Sequence, residues 1–124
     1  MSVVNVKVEY IRKDGYANLK EWMEKEGNEY VGRKGIVFIT TEDGKKERFP
    51  KKDSKFCNPF KVGRDGTLEE VVVKFENHIR KQIADGEIQV AELVGLKGKR
   101  LGCWCKPNLC HGDILLRLID EYDK

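Results

Sequence analysis

The stretch TLEEVVVKFENHIRKQIADG (67–86) constrains the fold of this chain more than any other. Thr67 and Glu70 have the spacing of a capping box, in which the hydroxyl takes the N3 amide and the carboxylate reaches back. Leu68, Val71, Val72, Phe75, Ile79 and Ile83 fall on one apolar stripe, and Gly86 supplies the stop. A helix with one apolar stripe must lie on a second layer, so the remaining segments have to supply a sheet or more helices. His78 sits at the edge of that stripe, where a lone histidine is most often structural.

The other segments alternate in type. SVVNVKVEYI (2–11) is Val-rich with alternating polarity, which predicts a strand. ANLKEWMEKEG (17–27) places Leu19, Trp22 and Met23 at helical spacing and stops at Gly27. GIVFITTEDGKKERF (35–49) is a strand, an Asp43-Gly44 turn and a second strand, the strongest hairpin signal in the chain. Residues 50–66 predict a long loop of the kind that is often functional. EIQVAELVGL (87–96) predicts a short helix, KGKRLGCWC (97–105) a buried strand, and GDILLRLIDEYDK (112–124) a closing helix with Asp113 as its N-cap. This order predicts an α/β fold, a single compact domain with a small mixed sheet flanked by helices.

Composition narrows the class. A length of 124 residues suits one domain, and 40% hydrophobic with 36% charged residues excludes a disordered chain. No apolar run approaches a membrane span, and residues 1–11 lack the apolar core of a signal peptide, so a cytoplasmic location is expected. The net charge of +3 is short of a dedicated nucleic-acid binder. GRKG (32–35), KKER (45–48), PKKDSK (50–55) and KGKR (97–100) are local basic clusters that suit either a solvated surface or an anion-binding face.

The chemistry is concentrated in LGCWCKPNLCHGD (101–113), with three of the four cysteines and one of the two histidines. Read as strand, turn and helix start, it puts Cys103 and Cys105 on one strand face and Cys110-His111 at the positive end of the closing helix. In open α/β folds, ligands bind in this crevice beyond the carboxyl ends of the strands. Three readings stay open. Cys110 can be a thiolate nucleophile favoured by the helix amides and His111, or the amides can hold a phosphate or carboxylate. Cys103, Cys105, Cys110 and His111 can form a Cys₃His zinc set, although C-x-C-x₄-C-H is not a standard finger spacing. Cys103 can also be a small core hydrophobe.

NPFKVGRDGTLEEVVVKF and LKGKRLGCWCKPNLCHGDILLRLI together resemble a small family of phage, bacterial and viral proteins, the domain of unknown function DUF4326. The resemblance runs over residues 54–120 and rests on Asn58-Pro59-Phe60, Asp65-Gly66-Thr67, Cys103, Cys105, Pro107 and Cys110 to Asp113. The family's Gly-Arg pair is similar to Gly32-Arg33. The hairpin of residues 35–49 then reads as an insertion, and Cys57 stands where many members carry glycine. More distantly, the closing motif is similar to DUF488, whose strand ends in Cys-x-Glu and whose helix opens with Cys-His-Arg. Cys103 and Cys110-His111 correspond to that pattern, with Cys105 at the glutamate. Neither resemblance implies a reaction.

Asn58 ahead of Pro59 is held extended and offers a fixed donor and acceptor, Phe60 an aromatic face, and Arg64 a cation. The residues therefore predict a site between the 54–66 loop and the Cys-His turn. One reading is a domain that binds or processes a nucleotide or phosphorylated metabolite. Cys110, His111 and Cys105 would be its chemical residues, and Asn58, Phe60, Arg64 and Asp113 its binding or positioning residues. The other is a zinc-stabilised module that binds nucleic acid or a protein partner.

Overall fold

The computed structural model describes residues 2–104 and 108–123. Strands β1 (Ser2–Asn5), β5 (Arg100–Cys103) and β2 (Asn28–Tyr30) form a parallel sheet in the order β1-β5-β2. Val3 pairs with Leu101, and Glu29 pairs with Leu101 from the other side, so the last strand in sequence is the central one. Strands β3 (Val37–Thr40) and β4 (Lys46–Phe49) pair antiparallel as a separate hairpin. The α/β class holds, with small sheets flanked by helices and the hairpin standing apart as expected, while the main sheet is wholly parallel where a mixed one was expected.

Helices cover both faces of the parallel sheet. Helix α1 (Val8–Ile11) and helix α2 (Leu19–Glu24) pack Ile11, Leu19 and Trp22 with Val6 and Tyr30 on one face. Helices α3 (Leu68–Ala84), α4 (Val90–Val94) and α5 (His111–Tyr122) cover the other. There Phe75, Ile79, Leu93, Leu115 and Leu118 meet Leu101 and Val31. The alternation along a strand sorts residues to the two cores: Val3 joins the α3–α5 side and Val4 the α2 side.

Local chemistry explains the boundaries. The predicted strand over 2–11 ends at Asn5, whose side-chain oxygen accepts from the Lys7 amide at 2.9 Å. That local turn competes with the ladder and starts α1. The capping box of α3 forms as expected, with Glu70 N donating to Thr67 Oγ1 at 3.2 Å and Thr67 N to Glu70 Oε1 at 3.1 Å. Asp113 is not the N-cap of α5. Cys110 is, and Asp113 stands at N3, accepting from the Cys110 amide at 3.1 Å. Gly112 therefore lies inside the first turn, where a Cβ would come within 2.9 Å of a Val3 methyl.

Candidate functional site

All three parallel strands point their carboxyl ends toward the same region, and a cavity of about 280 Å³ opens there. Its walls come from four places. Gly32 and Arg33 follow β2, Asn58 and Phe60 come from the long loop, Leu68, Val71 and Val72 from α3, and Trp104 and His111 from the end of β5 and the start of α5. Ile36, Val62 and Leu109 line it as well and are exposed, forming an apolar rim. Among the described lining residues there is no carboxylate.

A chain of hydrogen bonds fixes the polar wall. Trp104 Nε1 donates to the Tyr30 hydroxyl at 2.8 Å, and that hydroxyl donates to the Arg33 carbonyl at 2.7 Å. Arg33 in turn donates from Nε to the Asn58 carbonyl at 2.9 Å and from Nη2 to the Phe60 carbonyl at 3.3 Å. The Asn58 side chain donates to Val71 O at 3.2 Å and accepts from Phe60 N at 2.9 Å. Gly32 is required between Tyr30 and Arg33, because a Cβ there would lie 2.5 Å from the Tyr30 hydroxyl oxygen. The strand end, the loop and α3 are thus locked together around one guanidinium.

Burial pushes the Tyr30 phenol up to about 12, since the phenolate would lose its hydration, although the Trp104 N–H opposes the shift. The folded state favours the neutral phenol. Stability from this group is therefore complete below the ordinary tyrosine value near pH 10 and is lost as the pH rises through about 12. Ultraviolet titration should show a phenolate transition near that upper limit which Tyr30→Phe removes. Its persistence in the variant would assign it to another tyrosine.

His111 forms the inner wall with 8% of its surface exposed. Its Nε2 lies 2.7 Å from the Val31 carbonyl, and a carbonyl only accepts, so Nε2 carries the proton. Its Nδ1 faces Cys110 Sγ at 3.7 Å, and the ring meets Phe75 edge-on at 4.9 Å. Cys110 itself has no exposed surface and does not line the cavity. Its sulfur accepts from Gly112 N at 3.4 Å, and its carbonyl accepts from Asp113 N at 2.9 Å. The amides expected to hold an anion are thus turned onto the helix's own cap. Any molecule in the cavity meets His111, with Cys110 behind it.

The other predicted site residues divide cleanly. Phe60 reaches the cavity and packs edge-on against His78 at 5.8 Å, while Asn58 lines it with a side chain already committed to protein partners. Arg64 does not reach it. Its guanidinium pairs with Asp65 at 2.8 Å and with the Pro59 carbonyl at 3.1 Å, and this contact holds the Asp65 carboxyl below its usual range. The cation of the site is Arg33, whose sequence signal was the Gly-Arg pair. Cys103 is buried at the tip of β5 in the α3–α5 core, and Cys105 lies outside the described residues. Cys57 is half-buried, and burial, reinforced by Asp53, pushes its thiol up. Among the described residues, no three His, Cys, Asp or Glu side chains are gathered as a metal set. No described helix is long and apolar enough to cross a membrane.

Comparison with known proteins follows this geometry. The chain is 42% identical over 64 residues to the "Uncharacterized 12.4 kDa protein in nrdA-td intergenic region" of Enterobacteria phage T4, covering 51% of this chain and 59% of that protein. It is 33% identical over 82 residues to "Uncharacterized protein R718" of Acanthamoeba polyphaga mimivirus, covering 57% of this chain and 59% of the relative. The chain thus matches less than two thirds of the length of either. No solved structure gives a significant match. The model of the domain of unknown function DUF4326 matches residues 16–121, a span that takes in Gly32-Arg33, the hairpin, the loop and the Cys-His turn. With most of its length and every described wall of its cavity inside that match, the chain belongs to the DUF4326 family.

Proposed function

We propose that the cavity binds a small phosphorylated molecule with a flat, apolar body, a nucleotide or a related phosphorylated metabolite. The supporting observation is Arg33. Two backbone carbonyls hold its guanidinium at the cavity wall, and no described lining residue is acidic. A fixed guanidinium suits a phosphate through paired, charge-assisted hydrogen bonds. Phe60, Trp104, Leu68 and Val72 give the rest of the wall an aromatic and aliphatic character that fits a heterocycle. Any chemistry performed on the ligand would fall to His111, with Cys110 and Asp113 as positioning residues that hold the start of α5.

Thermal shift against paired compounds tests this. A nucleoside 5′-monophosphate at a hundred times its Kd should stabilise the fold by about 2.7 kcal/mol, roughly 10 °C in a domain of this size. The unphosphorylated nucleoside should give a much smaller rise. Equal shifts from both, or none from any phosphorylated compound tried, would count against the proposal. Elemental analysis of the same protein addresses the zinc-stabilised alternative, for which chelation should release about one equivalent of metal and unfold the domain.

A further inference from the structure

The hairpin of β3 and β4 presents a face that neither core covers. Val37, Ile39 and Phe49 are partly buried, whereas Phe38, Thr40, Lys46 and Arg48 are exposed. Register puts Phe38 opposite Arg48 and Thr40 opposite Lys46, so these four side chains form one outward patch. Phe38 is 63% exposed, the highest value among the described large hydrophobic residues left outside the cores. The Arg48 guanidinium carbon lies 4.9 Å from the centre of its ring, and Arg48 Nη1 donates to the Gly35 carbonyl at 3.0 Å. The aromatic ring is therefore braced by a tethered cation while it faces solvent.

Charge distribution points the same way. Residues 34–52 contain six basic and three acidic residues, a surplus of three. Elsewhere eighteen basic residues are matched by eighteen acidic ones, so this segment carries the whole net charge of the chain. Lys51 is paired with Glu47 at 3.6 Å, and Lys34, Lys45 and Lys52 flank the patch in sequence.

We infer that the outer face of the hairpin docks single-stranded nucleic acid, with a base stacked on Phe38 and the backbone phosphates tracked by Lys46, Arg48 and the flanking lysines. The sign of the charge matches phosphate. An exposed aromatic beside cations suits unpaired bases, whose faces are open, and a duplex offers no such face along its length. This surface is separate from the Arg33 wall, so it stands whether or not the cavity takes a nucleotide.

Fluorescence anisotropy with a labelled oligothymidylate of about twelve nucleotides, a length suited to small single-strand-binding surfaces, tests the inference. Three phosphate contacts would give a slope of log affinity against log salt near −2. Phe38→Ala should weaken binding roughly tenfold or more, and Lys46→Glu should weaken it and flatten the slope. Both positions are exposed, so circular dichroism melts of the variants should overlay the parent. A duplex of equal length should bind markedly more weakly. The inference is overturned by no binding at low salt, by a flat salt dependence, by unchanged affinity in Phe38→Ala, or by equal affinity for the duplex. Polyglutamate competing as well as the oligonucleotide would also overturn it, by making the face a site for acidic protein segments.

Discussion

Replacing Gly102 with alanine is expected to lower the melting temperature by about 10 °C. Gly102 is in the central strand, paired with Val4 on one side and Tyr30 on the other. A Cβ there would lie 2.6 Å from one atom of the Trp22 ring and 2.7 Å from a methyl of Val6. Trp22 is buried, with Ile11 and Leu19 in the same cluster, so the indole has little space to withdraw. Overpacking of this kind costs about 1–3 kcal/mol, a large share of the roughly 5–15 kcal/mol that holds a typical domain together. Adding Val6→Ala should recover part of the loss, because it removes one of the two contacts. Thermal melts followed by circular dichroism measure both effects. A Gly102→Ala protein melting within a degree or two of the parent would mean that the indole does not press on the strand as described.

Arg33→Lys is expected to reduce affinity for a phosphorylated ligand roughly ten- to a hundredfold, on the scale of a charged hydrogen bond worth about 1.5–3 kcal/mol. The charge is conserved, but an ammonium cannot keep both the Asn58 and Phe60 carbonyls and also present a planar pair of donors. The ratio of affinities for phosphorylated and unphosphorylated forms of one ligand is the informative readout. A purely structural role for Arg33 would weaken both forms together, whereas an anion-binding role collapses the ratio. Calorimetric titration of parent and variant with a nucleoside and its monophosphate separates the two.

Much of the framework was legible because it is encoded locally. The capping box and stripe of α3 are short-range signals, as is the Asp43-Gly44 hairpin turn, and all three formed as expected. The features that were missed depend on tertiary contacts. Strand β2 has three residues, too few for a period-two pattern, and it is identified by pairing with β5. Gly112 resembles a helix boundary in sequence, yet the Val3 methyls make it a close-packed position within α5. Arg64 is the arginine nearest to Asn58-Pro59-Phe60 in the chain. Arg33, 25 residues from Asn58, is the one that touches its carbonyl. The Cys-His turn was correctly placed at the strand ends, but burial gave Cys110 the part of a helix cap and left His111 at the cavity.

The two tryptophans supply the most direct test of the site. Trp104 lines the cavity and donates to Tyr30, whereas Trp22 is buried within the α1–α2 core and does not line the cavity. In a ¹⁵N–¹H correlation spectrum, titration with a nucleoside 5′-monophosphate should move the Trp104 indole signal and the Gly32 and Arg33 amides while the Trp22 indole stays in place. The unphosphorylated nucleoside should move them only weakly. No movement at Trp104, or equal movement of both indoles, would contradict a phosphorylated ligand bound at the Arg33 wall.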